Sequence, residues 1–73
     1  MRSFPVTFHL PGRSVTMTKP GDIGNERDRP ALALAVAKRS RTHADAMRFI
    51  VALGIAQDAA EADALIYEGE SEE

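Results

Sequence analysis

Side chains that could do acid–base or metal chemistry are scarce in this chain. The chain has two histidines, His9 and His43, and no cysteine. A zinc site needs three or four ligands converging on one point, and no thiolate, His-x-x-His or paired-carboxylate cluster is present. His43 and Asp45 are two residues apart on a predicted helix, so their side chains do not face each other. The pattern therefore predicts no catalytic residue, no metal site and no cofactor.

Glycines are the second group that could mark a chemical site, because glycine-rich loops cradle phosphates. Gly12, Gly21 and Gly24 fall close together. None of them both follows a strand and opens a helix at the spacing of a phosphate-binding fingerprint. We therefore expect a protein that is not an enzyme.

Nucleic-acid binding is the alternative that the helical half of the chain raises. Residues 46–66 have the outline of a helix-turn-helix, with Gly54 and Ile55 between two predicted helices. The second helix would present Glu61 and Asp63 to the negatively charged DNA backbone, which is repulsive. It also carries no arginine or lysine to read bases. A helix-turn-helix repressor stays the alternative function, and we expect no specific nucleic-acid binding.

Charge is distributed unevenly along the chain. Residues 1–48 carry nine basic and four acidic groups, whereas residues 49–73 carry seven acidic and no basic groups. Such an asymmetry of charge is informative about binding partners rather than about the fold. No early segment resembles a signal peptide, and the longest apolar run, residues 31–37, is far too short to span a bilayer. We therefore expect a soluble intracellular protein.

A hairpin is predicted in residues 3–18, and it is the first element that could position a functional site. Large apolar side chains alternate with small or polar ones, which is typical of a strand with one exposed face. The apolar face comprises Phe4, Val6, Phe8, Leu10, Val15 and Met17. Pro11 and Gly12 suit the centre of a type II turn, and the predicted register pairs Phe8 with Val15 and Val6 with Met17. Pro5 cannot donate a ladder hydrogen bond and marks the first strand as an edge.

Three helices are predicted after a connector over residues 19–29. Residues 31–37 alternate as a strand would, but four alanines favour a short central helix that Pro30 begins. Thr42 caps a second helix that Gly54 ends, and we expect this helix to cover the hairpin. Asp58 caps a third helix, with Ala59, Ala62, Leu65 and Ile66 on its inner face. The prediction is an α+β domain over residues 1–67, a hairpin packed on two or three helices, followed by a disordered acidic tail, residues 68–73.

Two surfaces could bind a partner. An open strand edge accepts a peptide by main-chain pairing, which points to the first strand at Ser3, Phe4, Pro5 and Thr7. The second surface is the basic end of the first helix, at Lys38, Arg39 and Arg41. We predict docking at the strand, with the basic residues steering an acidic partner.

The chain as a whole resembles the small RNA-polymerase-binding transcription regulators of lytic phages of Xanthomonas. The resemblance lies in the length, in the opening "MRSFPVTFHLPG" and in the alanine-rich middle. It implies a monomeric, non-enzymatic protein of the host bacterial cytoplasm that docks on the large subunits of RNA polymerase. It further implies inhibition of initiation, by disfavouring sigma in the holoenzyme, and suppression of termination. It assigns no binding residue.

Overall fold

The computed structural model describes residues 4–72, which begin with a two-stranded antiparallel hairpin. Strands β1 (Val6–Leu10) and β2 (Arg13–Met17) flank a two-residue loop. Val6 pairs with Met17 and Phe8 pairs with Val15, so the predicted register is confirmed. Gly12 has a φ of +82°, as the third position of a type II turn requires. The turn and the apolar alternation therefore specify the same pairing.

Three helices complete the predicted α+β fold. A short 3₁₀ turn (Glu26–Asp28) leads into α1 (Arg29–Arg39), followed by α2 (His43–Ala52) and α3 (Ala59–Glu72). Residues 31–37 lie inside α1, so helix propensity prevails over their strand-like alternation. Within residues 4–72, no helix has the length and apolar content needed to cross a bilayer.

The predicted caps of the second and third helices are confirmed. The hydroxyl of Thr42 accepts a hydrogen bond from the Asp45 amide at 3.1 Å, and Asp58 accepts one from the Glu61 amide at 2.8 Å. Gly54 follows α2 with a φ of +79°. The Ile55 amide then donates to the Ile50 carbonyl at 3.0 Å, which folds Ile55 back into the core.

One helix covers the hairpin, and it is α1. The backbone of α1 approaches β1, whereas the backbones of α2 and α3 do not come close to either strand. The prediction that the second helix covers the hairpin is therefore wrong. Because α1 is apolar on nearly every side, it packs against β1, α2 and α3 together. The largest fully buried side chains come from all parts of this core: Met17, Leu32, Ile50 and Ile55.

Helix α3 extends further than the charge pattern predicts. Residues 68–72 are helical, so the prediction of a disordered tail is wrong for them; residue 73 lies outside the described residues. The physical reason is Gly69, which is buried against α1. A β-carbon there would lie 2.7 Å from the Pro30 carbonyl oxygen, so only glycine lets the two helices approach this closely.

The buried face of α3 also differs in detail from the prediction. Ala62, Leu65 and Ile66 are buried as expected, whereas Ala59 is exposed. Ala59 is the first residue of the helix, and it lies next to the exposed cap rather than over the core. The inner face therefore begins one turn later, and Gly69 extends it.

Ion pairs join the connector to both halves of the fold. Asp28 is 7 % exposed and pairs with Arg13, which ties β2 to the start of α1. Arg29 pairs with Glu26 through two hydrogen bonds of 2.8 Å and also donates to the Ile55 carbonyl. The hydrogen bond from Arg29 lowers the pKa of Glu26 below its ordinary value of 4.5 and raises the pKa of Arg29.

Candidate functional site

The outer edge of β1 is open for pairing. Because Leu10 and Arg13 pair directly across a two-residue loop, they exchange both backbone hydrogen bonds, and the pattern then alternates along the ladder. The backbone N–H and C=O groups of Thr7 and His9 therefore point away from β2. Both residues are exposed, and within residues 4–72 neither forms a backbone hydrogen bond outside the hairpin. An added strand would find these four groups available.

Cross-strand side-chain contacts hold the hairpin that carries this edge. On its exposed face the hydroxyls of Thr7 and Thr16 lie 3.1 Å apart, and His9 Nδ1 lies 3.3 Å from the Ser14 hydroxyl. Directly opposed polar pairs of this kind stabilise an antiparallel sheet. Strand β1, which carries the open edge, is therefore stabilised by its contacts with β2 on the other side.

An apolar depression, which we call the Phe49 groove, lies beside the first half of β1. Its volume is about 470 Å³. Phe49 on α2 is 48 % exposed and forms part of its wall, although its neighbour Ile50 is fully buried. The lining comes from β1, α1 and α2: Phe4, Val6, Phe8, Val36, Arg39, Ser40, Phe49, Ala52 and Leu53.

A second depression, the Leu34 groove, lies beside the end of β1. Its volume is about 580 Å³, and its wall combines the hairpin turn with one side of α1. Small side chains at Ala31 and Ala35 keep it open, and Gly69 closes its far end. The remaining lining residues are His9, Leu10, Pro11, Arg13, Leu34 and Lys38.

The two grooves follow β1 on the side of its open edge. The beginning of α1 lies beside the hairpin turn and its end lies beside Phe4, so α1 runs antiparallel to β1. Strand β2 contributes only Arg13, at the turn, to either lining. We call the open edge and both grooves together the edge groove.

Positive charge borders the edge groove. Arg39 lines the Phe49 groove and Lys38 lines the Leu34 groove, and no acidic residue of the part that the structure describes lines either. Arg13 is already paired with Asp28, whereas Arg39 has no ion-pair partner among the described residues. With the exposed Arg41 just beyond α1, these cations form the basic rim: Lys38, Arg39 and Arg41.

The predicted binding residues mostly meet at the edge groove. Phe4 lines the Phe49 groove together with Arg39, Thr7 lies on the open edge, and Pro5 is exposed just before β1. Ser3 lies outside the described residues. The sequence presents the strand edge and the basic end of α1 as two separate surfaces. In the fold they are adjacent, because α1 packs alongside β1.

Sequence reasoning missed the contribution of α2 to the site. Phe49 and Val51 lie beside the buried stripe of α2 and are 48 % and 36 % exposed. The available signal was that Ala46 and Ile50 already supply a buried stripe at helical spacing, which leaves Phe49 beside it. Because Phe49 shares one groove with Phe4 and Leu53, it belongs to an apolar patch and marks a candidate binding surface.

The histidines lie apart in the fold. His9 contacts Ser14 on the exposed face of the hairpin, whereas His43 Nε2 lies 3.2 Å from an Asp63 carboxylate oxygen and joins α2 to α3. Among the residues that the structure describes, no three histidine or carboxylate side chains are grouped as metal ligands would be. The His43–Asp63 contact joins exposed side chains, so it contributes little stability.

Helices α2 and α3 can also be compared with a helix-turn-helix motif. Glu61, Asp63 and Glu68 are exposed on α3, and this helix contains no basic residue. Five residues lie between the end of α2 and the Asp58 cap, which is a longer link than the turn of three or four residues in that motif. The exposed surface of α3 is therefore electrostatically unsuited to a DNA groove.

Comparison with known proteins adds no relative: no protein-family model matches the chain, and neither a curated protein nor a solved structure matches it.

Proposed function

We propose that this chain is a protein-binding regulator that docks on the large subunits of a bacterial RNA polymerase as a monomer. The observation that carries the proposal is the open edge of β1, where Thr7 and His9 offer backbone groups that no described residue pairs, beside the Phe49 and Leu34 grooves. A partner segment that pairs there gains directional main-chain hydrogen bonds as well as buried apolar contacts. The polymerase is the partner that the resemblance to phage regulators implies.

The proposed outcome is control of transcription in the host cytoplasm. A small protein that occupies a surface on the large subunits would disfavour sigma in the holoenzyme and so inhibit initiation. The same bound protein would travel with the elongating enzyme and suppress termination. The basic rim supports the binding step because positively charged rim residues speed the encounter with an acidic partner.

The test compares protein and DNA as ligands. Labelled chain is titrated with core polymerase from Xanthomonas and, separately, with duplex DNA. We expect saturable binding to core polymerase, a lower affinity once sigma is bound, and no DNA binding at physiological salt. DNA binding that weakens steeply with salt, without polymerase binding, would establish the helix-turn-helix alternative instead.

A further inference from the structure

We infer that the edge groove recognises an extended, acidic segment of its partner that carries two large apolar side chains four residues apart. The inference rests on the proposed function, since it names what the docking site would select. Its basis is the juxtaposition of the open β1 edge, the Phe49 groove and the Leu34 groove.

The spacing follows from strand geometry. An added strand would bond to Thr7 and His9, and its residues opposite Val6, Phe8 and Leu10 would point towards α1. The Phe49 groove is centred beside Val6, and the Leu34 groove beside Leu10. These two strand positions are four residues apart, or about 13 Å along an extended chain. Two side chains at positions i and i+4 of the segment therefore reach one groove each.

The chemistry of the two anchors follows from the groove walls. Phe4, Val36, Phe49 and Leu53 contribute to the first wall, and Leu10 and Leu34 contribute to the second. Covering the half-exposed ring of Phe49 with an apolar side chain removes both surfaces from water, which is favourable. Leucine- or phenylalanine-sized side chains therefore suit both positions.

The acidic character follows from the charge around the grooves. Arg39 lies in one lining and Lys38 in the other, and among the described residues neither lining contains a carboxylate. Glu61 and Asp63, on the first turns of α3, line neither groove, whereas Gly69 near the end of α3 lines the Leu34 groove. A negatively charged segment that lies in the edge groove therefore meets complementary charge at Arg39 and, beyond α1, at Arg41.

The experiment uses fluorescein-labelled heptapeptides and the full chain, with anisotropy as the readout. The test peptide DLTATFD has its apolar anchors four residues apart. In DLTAFTD the same residues stand three apart, so the anchors point to opposite faces of an extended strand. We expect DLTAFTD to bind at least about tenfold more weakly. The cationic analogue KLTATFK should bind more weakly as well, by a ratio that shrinks as salt is raised.

Two protein variants test whether an apolar anchor of the peptide binds in the Phe49 groove. Phe49→Ser removes part of one groove wall, whereas Val51→Ser removes a similarly exposed apolar side chain of α2 that lines neither groove. We expect Phe49→Ser to weaken DLTATFD binding about tenfold and Val51→Ser to leave it unchanged. Circular dichroism establishes that both variants are folded.

Two results would overturn the inference; the first leaves the proposed function in place, and the second also contradicts docking by a monomer at the β1 edge. If core polymerase binds and DLTATFD and DLTAFTD bind equally or not at all, the i and i+4 rule is wrong. If sedimentation shows a dimer that Thr7→Pro makes monomeric, and no peptide binds, the occupant is a second copy. Failure of core polymerase to bind, with DLTATFD still preferred over DLTAFTD, would refute the proposed function and support the recognition rule.

Discussion

Replacing Gly54 by alanine tests the contact that positions α2 against the rest of the site. Gly54 has a φ of +79°, and a β-carbon there would lie 2.5 Å from the Gly21 amide nitrogen. The Gly21 amide donates to the Leu53 carbonyl at 2.9 Å, so the connector lies directly against the end of α2. The substitution must therefore disturb both the turn and the backbone that contacts it.

The expected cost has two parts. Alanine in the left-handed region costs about 1–2 kcal/mol, and forcing the two backbone segments apart adds about 1–3 kcal/mol. A domain of 73 residues has a total stability of about 4–11 kcal/mol. Gly54→Ala should therefore remove a large share of the free energy of unfolding, about 2–5 kcal/mol.

Gly12 and Gly24 provide matched controls. They have φ values of +82° and +77°, yet a β-carbon at either position would meet nothing within 4 Å. Alanine at these positions should cost only the conformational part, about 1–2 kcal/mol. Urea unfolding followed by circular dichroism at 222 nm, the helix band, measures all three variants. If Gly54→Ala costs no more than the controls, the inferred contact between the two loops is wrong.

Three further predictions concern pH, the end of α3 and the basic rim. Because the folded pKa of Glu26 is depressed, its stabilisation is present above about pH 4.5 and is lost as pH falls through the folded pKa. Glu26→Gln should therefore show a smaller fall in Tm on acidification than the parent chain. Gly69→Ala should lower Tm, because about 1–3 kcal/mol of overpacking exceeds about 1 kcal/mol of helix propensity; a raised Tm would contradict the close approach of the helices. Reversing the basic rim to glutamate should slow association with polymerase and flatten its salt dependence in stopped-flow measurements, and an unchanged rate would refute steering.

Local chemistry explains why most of the elements could be predicted. Thr42 and Asp58 cap their helices through the next turn of the same chain, and the register of the hairpin follows from alternation. Each of these signals involves residues close in sequence. The 3₁₀ turn before α1 was missed, because the connector containing Asn25 shows, apart from Ile23, turn-forming and charged residues.

Tertiary contacts account for the errors. Net charge predicts that residues 68–73 are disordered, but Gly69 docks on Pro30, and only the folded chain brings those residues together. The choice of α1 over α2 as the helix on the hairpin likewise depends on packing, because both helices carry apolar faces. The candidate site was half predicted: the strand edge and the cations were named from sequence, while Phe49 depended on knowing which face of α2 the core leaves exposed.

The most direct test of docking at β1 compares Thr7→Pro with Thr16→Pro in binding to core polymerase. The two threonines are paired opposites, and each has its N–H on the outer edge of its strand. Proline at either position leaves the ladder intact, but only Thr7→Pro removes a donor from the β1 edge. We predict that Thr7→Pro weakens binding at least about tenfold while Thr16→Pro binds like the parent chain. Equal affinities for the two folded variants would contradict docking at the edge of β1.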